Sequence, residues 1–311
     1  MPKRLIGKYT QGLEGPLLFV ISQMHGNEPA GRIALEYMFK MLEVEPITNP
    51  SFIFKGTIIG VTGNLQAAKL GMRFIKKDLN RAWHNDDVER IKKTPKSELD
   101  AEDLEMKEIL NLVTREIKAS KSSEVIFLDL HTTSSFGGIF SIPTDDDKSL
   151  KIAKELHAPV VKGMLNGISG SLLHYFNTEN LGITTTMVAF ESGQHEEPLS
   201  VNRAIAAITN CMRSVGCVEA SHIENRHDEI LVEFSKDLPK VCDLIGKISV
   251  INNEKFSLIP GLKNFQRIEK DQYLGIDEGG EIRASEDSLI LMPRYQKQGD
   301  DGFFLIKKAE D

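Results

Sequence analysis

The sequence predicts an α/β fold: a largely parallel or mixed sheet flanked by helices, followed by a small β-rich C-terminal subdomain. Three observations carry this expectation. Short, near-continuous apolar runs recur through the first two thirds of the chain. Stretches with helix-spaced apolar residues lie between them, and the helical pattern fades after residue 226.

Taken in order, "PLLFVIS" (16–22), "GTIIGVT" (56–62), "EVIFLDL" (124–130) and "TTTMVAF" (184–190) read as buried strands. Apolar residues at successive rather than alternate positions suit a sheet covered on both faces. "EPAGRIALEYMFKMLE" (28–43) has helical spacing; Asn27 is suited to cap that helix, and Pro29 to its first turn, where an amide hydrogen is not needed. "DAEDLEMKEILNLVTREIK" (100–118) and "PLSVNRAIAAITNCMRSV" (198–215) read as two further helices. Beyond residue 226, Gly, Pro and Asp punctuate the short runs "EILVEF" (229–234), "GKISVI" (246–251), "FSLIP" (256–260) and "SLILMP" (288–293), which read as strands. The expected division is therefore an α/β domain over 1–225 and a β-rich subdomain over 226–311.

With 311 residues, 41% hydrophobic and 27% charged, the chain is long enough for one large domain with a smaller one attached. A net charge of −7 argues against a nucleic-acid partner, because such proteins need a basic face to displace counterions. It leaves room for a small basic pocket that holds an anion. Cys211, Cys217 and Cys242 are few and odd in number, as expected of reduced thiols in a cytoplasmic protein. "MPKRLIGKYTQGLEG" lacks the apolar core of a signal peptide, and no run reaches the ~18 apolar residues of a membrane span. A soluble, cytoplasmic protein with no membrane partner is expected. The oligomeric state is left open, a homo-oligomer included.

In open α/β sheets, ligands collect outside the carboxyl ends of the strands. His25 and Glu28 follow the first run, Asn64 the second, His131 the third, and Glu191 ends the fourth. Two histidines and a glutamate, with one position left for water, are an established catalytic zinc set. Alone, His25 and Glu28 are more simply two polar residues sharing a turn; His131 and Glu191 at matching strand ends reverse that balance. Asp129 lies two residues before His131, hence on the same strand face, where it could orient a ligand imidazole. Glu191 is either a capped strand end or a general base beside a metal-activated water. "LGMRFIKKDLNRAW" (70–83) concentrates Arg73, Lys76, Lys77 and Arg81 with Asn80 in an acidic chain. Such a run is usually a solvated face. Yet Asn80 and Arg81 are suited to grip a carboxylate, and Arg73 to stabilise an oxyanion. His84, His157, His174, His195, His222 and His227 have ordinary surface or core explanations, His195 lying nearest Glu191 in sequence. "GISGSL" (167–172) lacks the spacing of a phosphate loop, "TDDDK" (144–148) reads as a solvated turn, and Trp83 as a packing anchor.

"MHGNEPAG", "GNLQAAKLGMRFIKKDLNRAW", "DLHTT" and "FESG", in this order, resemble the succinylglutamate desuccinylase/aspartoacylase family, a branch of the zinc-carboxypeptidase-like hydrolases. The likeness is dense over 15–140, thinner to about residue 215, and weak beyond. It implies a zinc-carboxypeptidase-like catalytic domain with a C-terminal β subdomain. It also implies one Zn2+ held by His25, Glu28 and His131, with Glu191 as general acid/base. Arg73 would sit on the scissile carbonyl, and Asn80 and Arg81 on the amino-acid carboxylate. Two features depart from the family. Tyr295 does not match the spacing of the C-terminal tyrosine that lines the aspartoacylase pocket. Relatives that cleave acidic acyl groups carry an extra arginine between the second zinc histidine and the catalytic glutamate. This chain has none from His131 to Glu191, only Lys148, Lys151, Lys154 and Lys162, with Arg267, Arg283 and Arg294 available further on. The departure leaves two readings, a lysine or a residue of the C-terminal subdomain in place of the arginine, or an uncharged acyl group, and favours the second.

The leading expectation is a zinc-dependent amidohydrolase that removes an acyl group from a small N-acyl amino acid. A zinc carboxypeptidase acting on short peptides would share the scaffold but need an open cleft, whereas a lid from the C-terminal subdomain would favour the small substrate. A non-catalytic binding protein would not need Glu191.

Overall fold

The computed structural model describes residues 2–220 and 226–309. The strands are β1 Leu5–Tyr9, β2 Leu13–Ser22, β3 Lys55–Thr62, β4 Glu124–Thr133, β5 Phe140–Pro143, β6 Val160–Lys162 and β7 Thr184–Gln194. In the C-terminal part they are β8 Val241–Ser249, β9 Ser257–Leu258, β10 Gln266–Ile268, β11 Tyr273–Asp277, β12 Gly280–Arg283, β13 Ser288–Leu291 and β14 Asp301–Lys308. The helices are α1 Ala30–Thr48, α2 Leu65–Leu70, α3 Asn85–Lys93, α4 Ala101–Ala119 and α5 Asp147–Glu155. They continue with α6 Met164–Gly167, α7 Leu172–Tyr175, α8 Thr178–Leu181, α9 Leu199–Ser214 and α10 Arg226–Ser235.

The main sheet has eleven strands in the order β1-β3-β2-β4-β7-β5-β6-β8-β14-β13-β10, and β12-β11-β9 form a second, small sheet. The central strands β3, β2, β4 and β7 are parallel, β1 is antiparallel to β3, and β5 is antiparallel to β7 but parallel to β6, so the sheet is mixed as expected. Its central strands are apolar on both faces because each face has its own core. Leu17, Phe19 and Ile21 of β2 pack on one side with Phe127, whose ring stacks on Phe19 at 5.1 Å. Leu18 and Val20 pack on the other with α1 and α9 through Leu35, Met38 and Ile208.

The structure also corrects some local expectations. "EILVEF" is not a strand but lies within α10. Ile230, Leu231 and Phe234 recur at helical spacing; Leu231 is fully buried, and the Phe234 ring lies 3.4 Å beneath the Arg203 guanidinium of α9. Asn27 does not cap α1: the helix starts after Pro29 without a side-chain cap, and Asn27 Nδ2 donates instead to Gln296 Oε1. Strand β1, an antiparallel edge on β3, has half-exposed residues and gave no apolar run to read. The "TDDDK" turn does more than face solvent, since the Asp146 carboxylate caps α5 by accepting from Ser149 N. The expected boundary at 225/226 abuts residues 221–225, which with His222 lie outside the described residues. Beyond it the main sheet continues, with β6 pairing in parallel with β8 and β8 with β14. We propose that 226–311 is a subdomain joined to the first part through this shared sheet. No helix among the described residues is long and apolar enough to cross a membrane.

Trp83 is the anchor its sequence context suggested. It is buried, packs on Tyr175 and Phe176, and its backbone N–H donates to Gly170 O at 2.9 Å. Trp83→Ala is expected to cost about 3–5 kcal/mol, the usual range for emptying a buried aromatic site. Urea denaturation followed by far-UV circular dichroism measures this; a loss below ~1 kcal/mol would mean the pocket collapses onto neighbours.

Candidate metal centre and its cavity

The parallel register of β4 and β7 sets His131 directly beside Glu191, so both side chains leave the sheet on the same face. His25 arrives from the turn after β2, the strand on the other side of β4. That turn is held tightly. A Cβ at Gly26 would lie 2.2–2.5 Å from backbone atoms of Ala67, Ala68 and Met72, so only glycine allows α2 to approach, and Gly26 N donates to Arg73 O.

His25, Glu28 and His131 are buried and offer ligand atoms all within 4.8 Å of one another. His25 Nδ1 lies 2.8 Å from Glu28 Oε1, and His131 Nδ1 3.1 Å from Glu28 Oε2. The carboxylate is fixed further by Thr132 N, which donates to Oε2. Each imidazole has a carboxylate behind its other nitrogen: Asp129 Oδ2 is 2.9 Å from His131 Nε2, and Asp78 Oδ1 is 3.3 Å from His25 Nε2. The second pair is in ion-pair range but not aligned as a hydrogen bond, and His25 Nε2 is buried without one. Two Nδ1 atoms facing one carboxylate, with Nε2 atoms turned to acids, are the donor set and backing that a Zn2+ ion takes. The residues therefore fit the metal that the family resemblance implies.

Glu191 stands apart. It is buried and its Oε2 has no hydrogen-bond partner. Burial pushes its carboxyl up to about 7, Glu28 and Asp129 adding to the rise while His131 and His25 oppose it. Burial acts the same way on Glu28, but His25 and His131 outweigh it and hold that carboxyl well below the usual range. Burial lowers His131, yet Asp129 and Glu28 outweigh it and hold the imidazole well above its usual value. The two buried glutamates are thus shifted in opposite directions by their surroundings.

Arg73 and Arg81 both line the cavity, but neither guanidinium is free. Arg73 donates through Nε and Nη2 to Asp78 Oδ2 at 3.0 and 2.9 Å, with Nη1 3.7 Å from Glu28 Oε1. Arg81 pairs with Asp301, whose other oxygen takes Lys247 Nζ at 2.6 Å. Asn80 accepts from Leu172 N through Oδ1 at 2.9 Å and turns Nδ2 towards His131 Nε2 at 3.5 Å. Asn64 does not join the site: it caps α2 and donates to Glu102.

The C-terminal part supplies cavity residues of which the sequence pointed only to Arg294. The segment between β13 and β14 crosses the cavity, with Met292, Arg294, Gln296, Gly299 and Asp301 in its wall. Gln298 accepts from Arg73 N and donates to Phe74 O; Gln296 Oε1 meets Asn27 Nδ2 and His195 Nε2; Tyr295 N donates to Ser134 Oγ. His195, the histidine nearest Glu191, bridges Thr132 and this segment but is not in the cavity wall. Of the three downstream arginines, Arg294 alone lines the cavity; its Nη1 donates to Gly299 O and Asn253 Oδ1. Tyr295 turns away, its hydroxyl donating to Ile259 O. Lys148, Lys151 and Lys162 pair with Glu124, Glu155 and Asp243, outside the cavity wall. Asp78 is far in sequence from His25, Glu28 and His131, so the argument applied to Asp129 does not reach it; of residues 292–301 only Arg294 and Tyr295 stand out in the sequence.

A mixed α/β sheet that presents two histidines and a glutamate at its strand ends, beside a spare buried carboxylate, has the arrangement of a metallohydrolase. The chain belongs to the succinylglutamate desuccinylase/aspartoacylase family: the model of that family's catalytic domain matches residues 14–215. Solved structures share the fold. The succinylglutamate desuccinylase from Vibrio cholerae superposes with a TM-score of 0.62 at 16% identity, over 95% of this chain and 82% of that one. A succinylglutamate desuccinylase/aspartoacylase from Rhodobacter sphaeroides gives 0.61 at 14% identity, over 96% and 87%. A product-bound ectoine utilization protein from Ruegeria pomeroyi gives 0.60 at 16% identity, over 94% and 85%. The search of curated proteins finds no match.

Titration of chelator-treated protein with Zn2+ is expected to give one tight site per chain, abolished by His25→Ala. Asp129→Ala should keep the stoichiometry but weaken affinity ~10–100-fold, because the imidazole loses its orienting acceptor. Unchanged affinity in this variant would remove Asp129 from the centre.

Proposed function

We propose that the protein is a zinc-dependent amidohydrolase that removes an acyl group from an N-acyl amino acid. The observation that carries this reading is the buried, unpartnered Glu191 carboxylate beside the His25–Glu28–His131 donor set, in a cavity crossed by the 292–301 segment. Bound at those donors, zinc would supply Lewis acidity for a nucleophilic water and for the amide carbonyl. Glu191 takes the proton of the attacking water through Oε2 and returns it to the leaving nitrogen. A carboxyl near 7 suits both transfers. Arg73, braced by Asp78, turns its guanidinium to the charge that develops on the carbonyl oxygen. Asn80 and Arg81 receive the α-carboxylate. Arg81, Lys247 and Asp301 together keep one net positive charge, two cations against one anion, for that purpose.

The crossing segment favours a compact acyl amino acid over the peptide of a carboxypeptidase, since hydrogen bonds to Asn27, Arg73, Phe74 and Ser134 tie it over the site. A pure binding protein would have no reason to keep Glu191 buried and unsatisfied, which is a cost without a chemical role. The site's family membership supports the same class.

Two variants test the assignment. Glu191→Gln should retain bound zinc, measured by metal analysis, and lose ~10²–10⁴-fold in turnover of N-acetyl amino acids; near-normal turnover would exclude the general-base role. Arg81→Ala should raise KM ~10–100-fold with a smaller change in kcat, the effect of losing a hydrogen bond to a charged group. If the wild type hydrolyses an N-acyl amino acid and its carboxamide equally well, the carboxylate clamp is wrong.

A further inference from the structure

Beside Asn80 and Arg81 the cavity changes character. Ile142, Met164, Leu165, Ile168, Leu173 and Phe304 form its wall there, drawn from β5, the α6–α7 region and β14. Several contacts hold this wall against the carboxylate clamp. Leu172 N donates to Asn80 Oδ1, Gly170 O accepts from Trp83 N, and a Cβ on Gly170 would lie 2.4 Å from Arg81 O, at a backbone φ of +63°. Glycine there lets the loop close on Arg81. Ile142 pairs across the sheet with Ala189, two residues before Glu191, so the wall reaches the reacting centre. Phe304 and Asp301 would face opposite sides of a regular strand, but the register of β14 shifts between Asp301 and Phe303, and both line the cavity.

We infer that this end of the cavity is a side-chain subsite for an apolar amino acid, so that the substrates are N-acyl derivatives of aliphatic or aromatic residues and not of glutamate or aspartate. The inference rests on the amidohydrolase reading, which directs the α-carboxylate to Asn80 and Arg81; the side chain of the same residue then meets the six apolar groups. An acidic side chain would find only guanidinium groups that already have partners. The three arginines of the lining are each engaged: Arg81 with Asp301, Arg73 with Asp78, and Arg294 with Gly299 O and Asn253 Oδ1; Lys247 points at the other oxygen of Asp301. Arg73 and Arg294 meet at Gly299: a Cβ on Gly299 would lie 3.5 Å from Arg73 Nε, and Gly299 O accepts from Arg294. A carboxylate against the apolar wall would be desolvated without compensation.

The experiment compares kcat/KM of the zinc-loaded full chain for the N-acetyl forms of leucine, methionine, phenylalanine, glutamate and aspartate. Alongside, calorimetry measures binding of the free amino acids. The apolar substrates are expected to exceed the acidic ones by about 10²-fold, within reach of an apolar pocket, and leucine to bind while glutamate does not. Ile168→Arg, at a half-buried loop position, should reduce or invert that preference by bringing a guanidinium to the wall. Preference for glutamate or aspartate, in hydrolysis or in binding, would overturn the subsite and leave the amidohydrolase reading intact. If no N-acetyl amino acid is hydrolysed, that reading fails by itself, and calorimetry still decides the subsite: selective binding of leucine sustains it, and equal or acidic-selective binding ends it.

Discussion

The parallel register of β4 on β7 is the constraint on which the site depends. Because His131 pairs with Glu191, a ligand imidazole and the spare carboxylate emerge on one face, at one height, without any direct bond between them. A slip of one residue would turn Glu191 to the opposite face and leave His131 beside Phe190 or Ser192. The register is held by the core on each side. Phe127 and Met187 pair within one hydrophobic cluster, and Leu128 and Val188 within the other, so a slip would exchange both sets at once.

On this frame the chain concentrates charge that burial would otherwise penalise. Glu28, Asp78 and Asp129 are buried, and each faces an imidazole or guanidinium that offsets its desolvation. Glu191 has no such partner, and its raised pKa is the consequence. The contrast between compensated and uncompensated acids sets the carboxyls of Glu28 and Glu191 apart by environment alone, one lowered and one raised. The 292–301 segment is tied to the turn after β2 and to the basic run through the Gln296 and Gln298 amides, and to the end of β4 through Tyr295 N, which donates to Ser134 Oγ.

Much of this was legible in the chain. The four central apolar runs became strands of the predicted kind, and His25, Glu28, His131 and Glu191 stand at their ends because function in such sheets sits where strands stop. The errors have physical causes. In "EILVEF" a short apolar run fits either period, and packing of Leu231 and Phe234 onto α9 decided for helix. Asn64 sits at a strand end like the site residues, yet its amide serves α2 and Glu102, which no spacing rule distinguishes. Asn27 had a side chain suited to capping and a stronger offer from Gln296, 269 residues away.

The sequence by itself determined the fold class, the strand ends and the kinds of side chain placed there, because periodicity, turn chemistry and ligand type are local properties. Tertiary structure decided the rest. Register alone decided which face Glu191 shares, and distant contacts decided that Arg81 is bound to Asp301, that residues 292–301 cover the cavity, and that its Arg81 end is apolar. These are relations between residues far apart in the chain, and only packing brings them within the few ångströms over which charge and apolar surface act.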